Sequence, residues 1–327
     1  MPDRVTINDV ARTAGVSRQT VSRALNDKGE IDATTKQRVL DAARELGYRP
    51  SRFARGLVRQ DTTTIGLVVP DLLNPFFTEV AAAALEAARA RGWHVVLYDT
   101  ADSVDEERGT LKVIGSQVDA VVGYFSLDEE ELDQHLSGIP VVLVGRDHHM
   151  PRFSSIRIDG ATGIREAVDH LVRAGHRRIG MLDHANRAEP SVRREWFADA
   201  MAAHGLPADV VGTAVQSVDG GAEALTALLG AHPELTAVFT FNDIIAVGAL
   251  RAARRLGRRV PADLAVVGFD GLQLGTVVDP ELTSVGLDTR RLGALAVEQA
   301  GRLLQGAKPL SADELVIHAA LVVRESA

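Results

Sequence analysis

Cysteine is absent from the 327 residues. That excludes disulfides, thiolate metal sites and thiol nucleophiles, and fits a reducing cytoplasm. The opening MPDRVTINDV has no apolar core segment, so it does not read as a signal peptide. No apolar run approaches the roughly 18 residues needed to span a bilayer. Low-complexity tracts are missing too, and so are the P-loop, GxSxG, HExxH and a GxGxxG placed after a strand. What remains is a globular, cytoplasmic chain of two or three compact units with nothing that marks an enzyme.

The net charge of −8 hides an asymmetry: residues 1–60 hold 12 Lys and Arg against 7 Asp and Glu, a net of +5, which leaves −13 for the rest. A basic head on an acidic body is expected when only the head meets phosphates. In the head, Ile7, Val10, Ala11 and Ala14 recur at helical spacing, so 6–14 reads as a short helix capped by Thr6. Gly15 ends it, since glycine takes positive φ without steric cost. Ser17 caps a second helix, 18–25. Asp32 or Thr34 starts a third, about 33–46, with Val39, Leu40, Ala43 and Leu46 as its apolar stripe. Three short helices with a tight first turn describe a helix-turn-helix. The second helix of such a unit points its N-terminal residues into the major groove. Here the stretch VSRQTVSRALN, 16–26, contains no acid. Arg18, Gln19, Ser22 and Arg23 are placed to read base edges, arginine pairing with guanine and glutamine with adenine. Ser17, Thr20 and Thr35 suit phosphate oxygens.

TINDVARTAGVSRQTVSRALND resembles the N-terminal signature of the lactose-repressor (LacI/GalR) family of bacterial transcription regulators, and TKQRVLDAARELGYRPSRFARGL is similar to that family's third helix and hinge. The resemblance implies that Thr6, Asn26 and Tyr48 join the DNA-binding set. It also implies a hinge helix within 51–60 that forms on DNA, where Leu57 wedges into the minor groove beside the small Ala54. Arg52, Arg55 and Arg59 would serve phosphates. Such a wedge costs unstacking but creates a kink that lets the protein cover more DNA.

From Thr62 the texture becomes alternating strands and helices: TTIGLVVP, WHVVLYDT, VDAVVGYFS and IPVVLVGR, then a second series ending in AVFTFND and LAVVGFD. That pattern gives two doubly wound parallel sheets in tandem, an α/β body behind an all-α head. Ligands in open parallel sheets bind beyond the carboxyl ends of the strands. Asp71, Asn74, Phe76, Tyr124 and Arg146 follow strand ends in the first half, and His184, Asn242, Asp243 and Asp270 in the second. IGLVVPDLLNPFF, HLVRAGHRRIGML and the terminal LVVRES are similar to the family's effector-binding core, which has the periplasmic-binding-protein fold. The resemblance implies three crossings between subdomains, near 159–163, 285–289 and 316–319. It places Arg193 of SVRREWF on a sugar hydroxyl or carboxylate, with Asn242 and Asp270 in the cleft. Asp243 reads as the cap of the following helix, and His176 as structural.

The expected organisation is a head at 1–50, a hinge at 51–60 and a core at 61–327, with subdomains of about 61–159 plus 288–317 and 160–287 plus 318–327. The chain departs from the family pattern at Gly145, Gly271 and Trp196; Trp196 can stack on a sugar or nucleobase ring or pack behind the cleft. The adjacent His148 and His149 read as solvated, not as a metal site, and no cofactor is called for. The expected function is a repressor that binds a palindromic operator as a homodimer without a tetramerising tail. Its effector would be a sugar or sugar derivative, with a nucleoside as the alternative. Two rivals from other classes are a sugar-active enzyme using Asp243 and Asp270, and a transport-type solute-binding protein. The second shares the body but has no use for the basic head.

Overall fold

The computed structural model describes residues 7–25, 31–46, 62–136, 138–145, 150, 152–185 and 190–327. The chain divides into two compact units, Met1–Thr63 and Thr64–Ala327. In the first, α1 (Ile7–Ala14), α2 (Arg18–Leu25) and α3 (Ala33–Glu45) pack through Val10, Ala14, Val21, Ala24, Val39, Ala42 and Ala43. Gly15 takes φ +64° between α1 and α2, a conformation that strains any residue with a Cβ. The Ser17 hydroxyl accepts the Thr20 amide at 3.1 Å and so caps α2. Asp32, not Thr34, caps α3, accepting the Thr35 amide at 2.9 Å. The α3 stripe differs from the sequence expectation in one residue. Ala42 joins Val39 and Ala43 in the core, while Leu40 is half-buried and outside the cluster. Leu40 sits about 100° around the helix from Val39, off the seam that i, i+3 and i+4 define.

The second unit begins with β1 (Thr64–Val69), α4 (Pro75–Arg89), β2 (His94–Asp99), α5 (Val104–Ile114), β3 (Ala120–Gly123), α6 (Glu129–Leu136), β4 (Val141–Val144) and β5 (Ser154–Asp159). A second series follows: α7 (Ala161–Arg173), β6 (Ile179–His184), α8 (Val192–Ala203), β7 (Val211–Ala214), α9 (Val218–Ala231), β8 (Ala237–Thr240), α10 (Asp243–Arg255), β9 (Ala265–Asp270) and β10 (Thr283–Gly286). The chain closes with α11 (Thr289–Leu304), β11 (Val316–His318) and β12 (Ala320–Val322). The sheet orders are β11-β5-β4-β3-β1-β2 and β12-β10-β9-β8-β6-β7, the same topology twice.

Short β-α-β connections explain the parallel pairing. One pair departs from the all-parallel expectation: β12 runs antiparallel to β10. β11 ends at the cleft and β12 starts one residue later, so the chain enters the second sheet from its carboxyl-end side. The chain changes sheets at Gly160, at Leu287–Asp288 and at Ala319. One core cluster joins α4, α11 and one face of the first sheet to α7, α8 and one face of the second. The other faces are covered by α5 and α6 and by α9 and α10. No helix among the described residues is long and apolar enough to cross a membrane.

Candidate functional site

The head presents α2. Val21 and Ala24 are buried on its inner side. Ser17, Arg18, Gln19 and Arg23 are exposed, and Thr20, Ser22 and Thr35 are half-buried. Ser17 and Thr20 also share a hydroxyl–hydroxyl bond of 2.9 Å, so both side chains hold the start of the helix that carries Arg18 and Gln19. Thr6, Asn26, Tyr48, Arg52, Ala54, Arg55 and Leu57 lie outside the described residues, as do Arg59 and the core residues Arg146, His148 and His149.

In the core, strand order reverses between β1 and β3 and between β6 and β8. The loops that leave those strands splay apart there and open a crevice. On the first subdomain Asp71 turns the loop after β1, its carboxylate accepting the Leu73 amide at 2.8 Å. Asn74 is buried and caps α4 through the Phe76 amide at 3.1 Å. Phe76, Phe77 and Tyr124 meet edge to face, with centroids 5.0 to 6.2 Å apart. The Tyr124 hydroxyl is buried without a hydrogen-bond partner among the described residues. Burial and the charge of Asp270 push its pKa up, and Arg193 opposes this. Those charges belong to the other subdomain, so Tyr124 looks across the cleft.

On that opposite wall the Arg193 guanidinium lies over the rings of Phe269 (3.8 Å) and Phe241 (4.3 Å). It donates to the Phe241 carbonyl at 2.5 Å and approaches the Asp270 carboxylate at 3.6 Å. Asp270, the last residue of β9, is buried at φ +119°, a backbone region that favours glycine. Burial raises its pKa well above the ordinary carboxylate range. Arg193 opposes the rise, while Asp243 and Glu79 add to it. His184 packs on Phe241 with centroids 4.4 Å apart. Asp183, which the sequence reading missed, ties the end of β6 to the start of α8 by accepting the Ser191 hydroxyl at 2.6 Å and the Ser191 amide at 3.2 Å. Arg193 and His184 are thereby held in one frame.

Asn242, not Asp243, caps α10: its side-chain oxygen accepts the Ile245 amide at 3.1 Å. Its amide nitrogen donates to Gln216 at 2.9 Å, a residue that no local sequence signal marks. Asp243 turns inward, accepting the Ser284 hydroxyl at 2.5 Å and the Leu272 amide at 2.7 Å. The cap therefore goes to the residue outside the helix, and the first helical residue braces the loop behind Asp270. Trp196 stands against the first crossing: a Cβ placed on Gly160 would lie 2.6 Å from Cζ3 of Trp196 and 3.0 Å from Phe269. His176 bonds Thr236 at 2.9 Å across the turn before β6. No cluster of three metal-ligating side chains occurs among the described residues.

Two family models match the chain: the bacterial regulatory proteins of the lacI family over residues 6–51, and a periplasmic binding protein-like domain over 168–327. The chain is 36% identical to the ribose operon repressor of Halalkalibacterium halodurans over 326 residues, which cover 98% of this chain and 96% of that protein. Among solved structures it is similar to the lac repressor dimer bound to operator and the anti-inducer ONPF, with TM-score 0.74, 27% identity and 99% of each chain covered. It is also similar to the regulator CelR in complex with cellobiose, with TM-score 0.73 and 31% identity over 99% of this chain and 100% of that one.

Proposed function

Since the chain belongs to the lacI family of bacterial regulatory proteins and is a DNA-binding transcription regulator, not an enzyme, we propose that it represses transcription in the cytoplasm as a homodimer on a palindromic operator, gated by an uncharged sugar in its core. The observation that carries the DNA-reading half is α2: an exposed edge with Arg18 and Gln19 and no acid, on a chain whose net charge is negative. The lac repressor structure holds operator DNA, and this chain's head has the same family signature.

The effector half rests on the cleft. Arg193 already donates to the Phe241 carbonyl and stands 3.6 Å from Asp270, so its guanidinium is partly engaged before any ligand arrives. A neutral polyol suits this wall better than a phosphate does. The buried Tyr124 hydroxyl and the Asn242–Gln216 pair offer the donors and acceptors that ring hydroxyls need. Arg193, Asp270, Asn242, Gln216 and Tyr124 are the contacts we assign. Repressor and CelR relatives named for ribose and holding cellobiose fit that ligand class.

The test is a DNA-fragment selection followed by salt titration of the selected site. Selective binding should fall steeply with salt, because phosphate contacts release counterions. Absence of any preference among fragments at low ionic strength, with and without sugars, would overturn the reading.

A further inference from the structure

Beside the cleft lies a groove of about 530 Å³ lined by neither Arg193 nor Asp270, nor by Asn242 or Tyr124. Its floor is the uncovered strip of the first sheet, where Arg157 pairs in register with Val316 and Asp159 with His318. Asp313 lines it from the loop before β11, and Val192 and Trp196 close it from α8 of the second subdomain. His318 Nδ1 lies 3.0 Å from the Asp159 carboxylate. The volume falls within the roughly 300–1,000 Å³ range of small-molecule sites.

We propose that this groove is a second ligand site, taking an uncharged saccharide ring against Trp196. The indole supplies an apolar face, the Asp159 and Asp313 carboxylates accept hydroxyl protons, and the Arg157 guanidinium donates to ring oxygens. One fixed cation against two carboxylates gives no surplus positive charge, which rules against a phosphorylated ligand. The position gives the site a consequence. Asp159 and His318 are the last residues before the first and third crossings, Gly160 and Ala319. Trp196 itself packs on Gly160, and the helix that carries it also carries Arg193 into the main cleft. A ring bound here touches both subdomains next to two of their three connections. It therefore biases their arrangement by whatever affinity difference it has for the two states.

The chain has two tryptophans, so Trp93→Phe leaves Trp196 as the only indole reporter. Its emission would be titrated with D-glucose, D-galactose, D-mannose, D-xylose, D-ribose, cellobiose and lactose, and with glucose 6-phosphate for comparison. At least one neutral sugar should give a saturable change that persists when Arg193→Ala is added. The double change Arg157→Ala with Asp313→Ala, both outside the main cleft, should weaken it by about tenfold or more, as lost charged hydrogen bonds do. Calorimetry on the chain with both tryptophans, with and without that double change, supplies the same comparison should Trp93→Phe fail to fold. No saturable change with any neutral sugar overturns the proposal. So does a signal that Arg193→Ala abolishes and the groove changes leave intact, or tighter binding of glucose 6-phosphate than of glucose.

Discussion

Asp243 shows what one buried carboxyl does in this core. It accepts Ser284 and the Leu272 amide and sits under the loop that displays Asp270. Burial nevertheless dominates, pushing its pKa up to about 7 from the ordinary 3.8. A folded-state pKa above the unfolded value means that the fold penalises ionisation. Its contribution to stability is complete below about pH 4 and is lost as pH rises through about 7. Core stability should therefore fall between about pH 4 and 7, and Asp243→Asn should flatten that slope while keeping an oxygen for Leu272. Urea midpoints of the two proteins across this range check it; parallel pH profiles would refute the assignment. Arg193 makes a complementary case. Arg193→Ala should abolish the thermal stabilisation given by any sugar that acts at the main cleft, leaving operator affinity without sugar close to wild type. An undiminished shift would move the pocket elsewhere. Neither Asp243's inward turn nor Gln216's bond to Asn242 was legible in the sequence. Each depends on partners 29 or 41 residues away, and 26 residues away, respectively. Helix caps are local, and an "Asn-Asp" pair leaves open which of the two faces the helix amides.

At the scale of elements the sequence was far more informative, because strands and helices follow from periods of two and about 3.6 residues along contiguous chain. The start of α2 at Arg18 came from Ser17, and Gly15 supplied the turn before it. β12 was the element that pattern could not orient, since three residues carry no direction and only the third crossing sets it. Helix contacts were also hidden. Gly293 lets α11 settle on α4 so closely that an added Cβ would stand 2.5 Å from the Val80 carbonyl oxygen and 2.8 Å from the Ala83 Cβ. The nearest obstacle is backbone, which cannot rotate away as a side-chain tip would. Gly293→Ala gains helix propensity of about 1 kcal/mol, yet overpacking of this kind costs about 1–3 kcal/mol. The net effect should be a lower melting temperature, in contrast to the same change at Gly230 in α9, where an added Cβ meets nothing within 4 Å. Calorimetric melting of the two variants separates these cases; a Gly293→Ala protein as stable as wild type would show that α11 can shift freely.

For the whole molecule, symmetry converts a residue-level preference into an operator rule. A C2 dimer presents two copies of α2, so its operator repeats one half-site in inverted order. Each bidentate base contact discriminates by roughly 1–3 kcal/mol. A change in both half-sites at the base read by Arg18 should therefore cost about 2–6 kcal/mol, and the same change in one half-site about half as much. Arg18→Ala should erase both penalties together, because every dimer carries the substitution twice. The salt slope should change little, since a base-reading arginine adds few phosphate contacts, whereas a substitution that removes a phosphate contact lowers the slope by about 0.9 per contact. Competition binding of three duplexes — intact, singly altered and doubly altered — to wild type and Arg18→Ala measures all of this in one series. Equal affinity for the intact and singly altered duplexes, with loss only in the doubly altered one, would mean that only one copy of α2 engages base edges, and a head that reads one half-site cannot belong to a symmetric repressor.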